Sequence, residues 1–236
     1  SNECQRRSMT YSAPLKVKLR LITPVDIKEQ EVYFGDFPLM TERGTFIVNG
    51  DERVVVSQIQ RPPGVSFEEE LHPTGKSIYH GRLIPSRGAW FEIKYDLNDI
   101  MFAYVDRRRN FPATQILRIM GLTSTEEMKK MLGDDFDKLK PTLEKDHTTS
   151  KEEALVDFYR KMRPTEPATV EVAETLFYRL FFDPKRYDLS KVGRHIINRK
   201  LNTEIPLENR VLDIRTVVEV MRYLFGLREG TGETDD

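Results

Sequence analysis

Residues 15–21 (LKVKLRL) alternate apolar and basic side chains, the period-two pattern of a strand with one wet face. Residues 32–34 and 78–84 read as further strands, and residues 90–95 pair with 101–105 across the turn at 96–99. Two short β-rich runs, 45–48 and 53–56, flank Asn49-Gly50, whose tolerance of positive φ predicts a tight hairpin turn. Arg61-Pro62-Pro63-Gly64 then ends the strand, because proline cannot donate to a sheet ladder and glycine permits a sharp change of direction. Turn residues at short intervals favour antiparallel pairing over this first part.

From Phe111 onward the period becomes helical. Pro112 suits the first turn of a helix running to about Met120, with Gly121 as its stop. Ser124 and Glu127 have capping-box spacing and open a helix ending near Gly133, and Ser150 and Glu153 repeat that spacing. Pro167 starts a helix with Val170, Ala173, Leu176, Phe177, Leu180 and Phe181 on one side, closed by Asp183-Pro184. Asp213 caps the last helix, where Ile214, Val217, Val218, Met221, Leu224 and Phe225 form a core stripe. Residues 138–149, polar and containing Pro141, read as a loop. Strands followed by helices predict an α+β chain without internal repeats.

Composition adds limits. At 236 residues the chain holds one large domain or two small ones. No apolar run is long enough to span a bilayer and no signal peptide is present, while the single cysteine, Cys4, forms no internal disulfide; a reducing cytoplasm follows as the expectation. Ser1-Asn2 reads as an expression scar on which no element is predicted, and the polar, glycine-rich residues 230–236 read as a truncation point. The net charge of −1 hides an asymmetry. Residues 82–118 carry seven Arg/Lys against four Asp/Glu, residues 158–200 ten against five, and the intervening 122–157 six against ten. Two readings follow: a positive face on one side of a neutral protein, or solvated helix faces.

Local chemistry is sparse. No phosphate-cradling GxxxxGK[ST] or GxGxxG loop occurs, and His72, His80, His147 and His195 are scattered without cysteine partners at ligand spacing. Asp134-Asp135 and Asp96/Asp99 sit in polar turns, and no serine or cysteine has a nucleophile's context. The residues describe a binding or structural module. Its only tryptophan, Trp90, follows Arg87-Gly88 and is either core or a stacking platform beside arginines. Arg107, Arg108 and Arg109 suit phosphates or a solvated strand end.

Residues 38–64 (PLMTERGTFIVNGDERVVVSQIQRPPG) resemble the β subunits of bacterial DNA-directed RNA polymerases. So, in that family's order, do residues 9–15 (MTYSAPL), 26–33 (DIKEQEVY), 84–90 (IPSRGAW), 105–113 (VDRRRNFPA), 161–167 (KMRPTEP) and 186–194 (RYDLSKVGR). The resemblance covers residues 3–236. It implies a β-rich antiparallel part of the protrusion over 3–58, completed by 221–236, and a mixed lobe domain over 59–220 with an N-terminal sheet and C-terminal helices. The family is a nucleotidyltransferase whose magnesium is held by another subunit. The resemblance therefore implies no catalytic residue and no cofactor in this fragment, which alone is expected to be inactive.

By the same resemblance the lobe lines the downstream DNA channel and contacts the non-template strand. Trp90 would stack on a non-template base, with Asp106 and Arg61 forming a guanine pocket and Arg107 holding Asp106 ionised. Arg107, Arg108 and Arg109 would meet phosphates. Arg163 and Arg186 would border the same single-strand pocket, with Arg82 a weaker candidate. Val56 and Gln58 resemble positions at the rim of the rifamycin-binding pocket. The alternative function is a protein-docking platform: Ile27, Lys28 and Glu29 open an edge strand that resembles the docking point for the transcription-repair coupling factor and related regulators. The loop at Thr23-Pro24-Val25 is shorter than in many members of the family. Implied partners are the β′, α and σ subunits and DNA, in a cytoplasmic, nucleoid-associated setting without a membrane.

Overall fold

The computed structural model describes residues 1–106 and 109–235, and the chain divides into two units, Ser1–Gln60 and Arg61–Asp236. The first unit is built on an antiparallel ribbon of β1 (Ser12–Ile22) and β2 (Ile27–Pro38). The second strand extends well beyond residues 32–34, because the charges of the two strands match across the ladder. Lys18 Nζ lies 2.7 Å from Glu29, the Arg20 Nε donates to Glu29 at 2.6 Å, and Lys16 reaches Glu31 at 3.4 Å. Such cross-strand pairs favour this register over one that would set like charges opposite each other. A short helix α1 (Asn2–Arg6) precedes the ribbon, so Asn2 does take part in the fold.

The predicted hairpin forms from β3 (Phe46–Val48) and β4 (Asp51–Arg53). Asn49 and Gly50 have φ of 52° and 87°, the left-handed values a two-residue primed turn needs. A Cβ on Gly50 would lie 2.8 Å from the Ser8 Cα, so glycine is required twice over. The tight turn places Asp51 directly opposite Val48, so the return strand begins two residues earlier than the pattern of 53–56 predicted. Residues 54–60 are exposed and irregular.

The second unit is a five-stranded antiparallel meander backed by helices. Its strands are β5 (Gly64–Leu71), β6 (Ser77–Ile84), β7 (Phe91–Tyr95), β8 (Met101–Val105) and β9 (Arg109–Pro112), adjacent in chain order. Alternation turns Val65, Phe67, Leu83, Phe91, Ile93, Tyr95, Met101, Ala103, Val105 and Phe111 inward, all buried. The helices are α2 (Ala113–Ile119), α3 (Thr125–Leu132), α4 (Lys140–Lys145), α5 (Lys151–Met162), α6 (Val170–Phe181), α7 (Ser190–Leu201) and α8 (Ile214–Arg228). The capping box at Ser124 and Glu127 forms as expected, and Asp213 accepts from the Thr216 amide at 2.9 Å. Pro112 caps α2 rather than opening it, because residues 109–112 pair with β8 first. The expected loop at 138–149 instead contains the last residues of a 3₁₀ turn and helix α4, with Leu139 and Thr142 buried.

Residues 221–235, expected with the protrusion part, pack in the second unit. Val217, Val220, Met221, Leu224 and Phe225 of α8 are buried in its core, and Tyr223 stacks on Phe67 with ring centroids 4.1 Å apart. The Phe67 amide donates to the Asp235 carboxylate at 2.9 Å. Gly81 makes the approach possible, since a Cβ there would lie 2.8 Å from the Phe67 ring and 3.0 Å from Val220 Cγ1. The α+β architecture expected from the sequence is borne out.

Candidate nucleic-acid interface

The strand register that buries Val65 and Phe67 turns Ser66, Glu68 and Glu70 outward, and the ladder sets Ser66 opposite Arg82 and Glu68 opposite His80. One row runs Ser66, Arg82, Glu92, Tyr104; the next runs Glu68, His80, Lys94, Phe102. Arg82 lies at the centre. Its Nε donates to Glu92 at 2.9 Å, one terminal nitrogen donates to Glu68 at 3.2 Å, and the other faces His80 Nε2 at 3.2 Å. Glu68 also lies 3.2 Å from His80 Nε2 and accepts from Arg61. Lys94 donates to Glu70 at 2.5 Å, and this contact holds the Glu70 carboxyl below the usual carboxylate range. A cavity of about 340 Å³ opens among Glu70, His80, Arg82, Glu92, Lys94 and Tyr104.

Trp90 sits just before β7, facing Asp106 just after β8. The Trp90 amide donates to Asp106 Oδ1 at 2.9 Å, and the Asp106 amide returns a bond to the Trp90 carbonyl at 3.0 Å. Asp106 adopts φ 49°, a left-handed turn that aspartate tolerates better than most residues. The Arg82 guanidinium carbon lies 5.8 Å from the centroid of the half-buried Trp90 ring, within cation–π range. Arg61, Glu68, Arg82, Trp90 and Asp106 thus form one connected line across the outer face. Arg109 is exposed at the start of β9, while Arg107 and Arg108 lie outside the described residues.

Arg163 and Arg186 belong to a second group. With Tyr159 and Arg179 they rim a cavity of about 270 Å³ that Val172, Leu176 and Leu180 also line. Arg163 donates to Glu166 at 2.8 Å and the Tyr159 hydroxyl donates to the same carboxylate at 2.5 Å, so Glu166 is held below its ordinary range. The two groups are neighbours. The Asp188 amide donates to the Arg87 carbonyl at 2.8 Å, and a Cβ on Gly88 would lie 2.8 Å from Tyr187 and 3.1 Å from the Arg186 carbonyl. Gly88, at φ 122°, is what lets residues 186–187 lie two positions from Trp90. Of the expected DNA-facing residues, Arg61, Trp90 and Asp106 thus fall in one group and Arg163 and Arg186 in an adjoining one, rather than all in one cavity.

Glu68, His80, Glu92 and Arg179 complete these groups and were not singled out from the sequence. Only the register assembles the first three, since they come from three strands; Arg179 is one basic residue among many on a helix. In the first unit, Ile27 at the start of β2 is exposed beside Lys28, and Glu29 is occupied by Lys18 and Arg20, which hold its carboxyl below the usual range. Val56 and Gln58 are exposed in the irregular segment after β4. Among the described residues no group of three or more His, Cys, Asp or Glu side chains could hold a metal ion, and no helix is long and apolar enough to cross a membrane.

A helix-backed antiparallel meander with a charged outer face defines an α+β module, and the chain belongs to the family RNA polymerase Rpb2, domain 2, whose model matches residues 61–236. More narrowly, it is 48% identical over 236 residues to the DNA-directed RNA polymerase subunit beta of Syntrophomonas wolfei, with 99% of this chain and 21% of that protein covered. Identity to the subunit of the same name is 53% over 211 residues in Clostridioides difficile (89% and 17% covered). It is 50% over 234 residues in Alkaliphilus oremlandii (97% and 18% covered). The resemblance read from the quoted strings is borne out over nearly the whole chain, which spans about a fifth of the length of these relatives.

Proposed function

We propose that this chain is the lobe and part of the protrusion of an RNA polymerase β subunit, and that it guides downstream DNA and contacts the non-template strand in DNA-templated transcription. The observation that carries the reading is the line Arg61–Glu68–Arg82–Trp90–Asp106 on the outer face of the sheet, beside the arginine-rimmed cavity at Arg163, Arg179 and Arg186. An indole supported by a cation and braced by a carboxylate suits stacking on an unpaired base, a contact worth roughly 1–3 kcal/mol. The neighbouring arginines suit the phosphates of the same strand. On this reading the chemistry of nucleotide addition belongs to the assembled enzyme and its magnesium to another subunit, and this segment assembles with β′, α and σ in the cytoplasm. Val56 and Gln58 take the rim of the rifamycin pocket.

The test is Trp90→Ala rebuilt into whole polymerase. A loss of roughly 1–3 kcal/mol of contact should shorten open-complex lifetime about five- to 150-fold where an unpaired guanine follows the bubble edge. Parent-like lifetimes in Trp90→Ala would remove the base-contact role.

A second reading has its own observation. In the two-stranded sheet of the first unit, β2 has only β1 as partner among the described residues, and Ile27 and Lys28 are exposed at its start. Such an edge suits docking of a strand from a coupling-factor type interacting domain. Glu29 is already held by Lys18 and Arg20 within the ribbon, so Lys28→Glu is the cleaner probe than any change at Glu29. Capture of that domain should fall with Lys28→Glu while the ribbon stays intact by circular dichroism. Undiminished capture places the docking edge elsewhere.

A further inference from the structure

We infer that Arg82 is a positioning residue for Trp90, clamped by Glu68 and Glu92 so that its guanidinium fixes the indole, rather than a phosphate contact in its own right. This rests on the proposed contact between Trp90 and the non-template strand only for its consequence in transcription; the positioning itself stands on the geometry of the chain. The side chain of Arg82 is 11% exposed, and those of Glu92 and Glu68 are 13% and 23% exposed. Its Nε and both terminal nitrogens are directed at Glu92, Glu68 and His80, so every nitrogen of the guanidinium is engaged from within the sheet, through three of its five N–H groups. A phosphate-seeking arginine presents its fork to solvent, and Arg82 does not.

The guanidinium carbon of Arg82 lies over the Trp90 ring, 5.8 Å from its centroid. The clamp has a rigid basis. Arg82 and Glu92 are directly opposed across the β6–β7 ladder, and Glu68 lies one strand further, opposite His80. Trp90 lies one residue before the start of β7, so the strand that carries Glu92 also fixes the indole's backbone. Opposite it, Asp106 holds the Trp90 amide. Asp106 thus holds the Trp90 backbone, and Arg82 lies against its ring. Arg61 joins through Glu68, so loss of Arg61 should act on Trp90 in the same sense as loss of Arg82, and more weakly.

Trp90 is the only tryptophan of the chain, so its fluorescence reports the inference directly. Arg82→Gln, Arg82→Lys and Glu92→Gln are compared with the parent chain by emission maximum and anisotropy, with a thermal melt verifying the fold. Lysine keeps the charge and loses the planar fork, so it should fail to restore the parent spectrum. The expected result is a red-shifted, less anisotropic Trp90 in both Arg82 variants and a smaller change of the same sign in Glu92→Gln, which keeps Arg82 in place and preserves a folded chain if the others melt early. Parent-like emission in Arg82→Gln and Glu92→Gln overturns the inference, as does full restoration by lysine.

In whole polymerase, the loss of one cation–π contact at a partly exposed site should change open-complex lifetime about two- to fivefold in Arg82→Gln, and not at all when Trp90→Ala is already present. An Arg82 effect that persists undiminished in the Trp90→Ala background overturns positioning in favour of direct contact. If Trp90→Ala itself leaves lifetimes unchanged, the non-template reading fails while the spectra still decide the role of Arg82.

Discussion

At His80, burial, carboxylates and cations compete. The ring is buried on the sheet's outer face, with Glu68 and Glu70 on β5, Arg82 beside it on β6, Glu92 and Lys94 on β7, and Tyr104 of β8 lining the same cavity. Burial dominates and lowers its pKa below 6.5; Glu92 raises it, and Arg82 and Lys94 lower it further. A neutral ring with its Nε2 lone pair accepting from Arg82 satisfies that balance, leaving Glu68 to its two arginines. The unfolded chain then binds a proton that the folded chain does not, in the window between the lowered pKa and 6.5. Stability contributed here is present above pH 6.5 and is lost as pH falls through the folded value. Urea unfolding from pH 7.5 to 5 should show that decline, and His80→Gln should flatten it; an identical pH slope in the variant would assign the decline to other groups. Arg194 makes the opposite case, a charge retained in the core. It is fully buried and donates to the Asn209 and Val211 carbonyls and Thr216 at 2.7 Å each, and lies 2.9 Å from Asp213. Removing it strands a carboxylate that also caps α8, so Arg194→Ala should cost about 3–5 kcal/mol in a denaturant melt. Lysine, lacking the fork, should recover only part of that.

The elements that could be read from the sequence are those whose signals are local. Asn49-Gly50 needs no partner to define a primed turn, and Ser124, Ser150 and Asp213 each cap a helix through a backbone amide three residues on. The elements missed are those set by distant partners. In β5 the acidic run at 68–70 hides an alternation that becomes visible only when β6 pairs with it. Strand β9 takes Pro112, expected in the first turn of a helix, because β8 offers a free ladder, and α4 forms in a polar stretch because Leu139 and Thr142 are drawn into the core. The candidate site divides in the same way. Trp90, Asp106 and Arg61 were legible through the family's strings, while Glu68, His80 and Glu92 depend on register across three strands. Register also explains why Gly81 is glycine, since it lies where α8 crosses β6. A methyl group there would meet the Phe67 ring at 2.8 Å and Val220 at 3.0 Å, in a core where neither neighbour has room to retreat. Gly81→Ala should destabilise by about 1–3 kcal/mol through overpacking, measured as a lower denaturant midpoint with an unchanged slope. Val220→Ala added to it should recover part of the loss, because the clash is shared; strict additivity would place the cost in the backbone instead.

Over the whole molecule, burial is unequally divided between the two units, each considered by itself. Among the described residues of Ser1–Gln60, Ile47 is the one hydrophobic side chain fully withdrawn from water, and the ribbon exposes Leu21, Ile22, Phe34 and Phe37 at 62%, 70%, 77% and 63%. A two-stranded ribbon with so little apolar area removed from water is marginal on its own, and the cross-strand ion pairs between Lys16, Lys18, Arg20 and the facing glutamates are exposed and screened by solvent, so they add little. The second unit has a continuous core from Val65 to Leu227 that joins all five strands to the helices. Opening free energies should therefore differ within one chain. Native-state hydrogen exchange should find the amides of β1 and β2 opening at low free energy, insensitive to urea, while those of β6, β7 and β8 exchange only through global unfolding with the full denaturant dependence. Salt should widen the gap, because screening weakens the ribbon's exposed ion pairs and leaves the apolar core unaffected. If both sets of amides open at one common free energy with one common slope, the ribbon's stability does not come from its own contacts, and this account of the first unit fails.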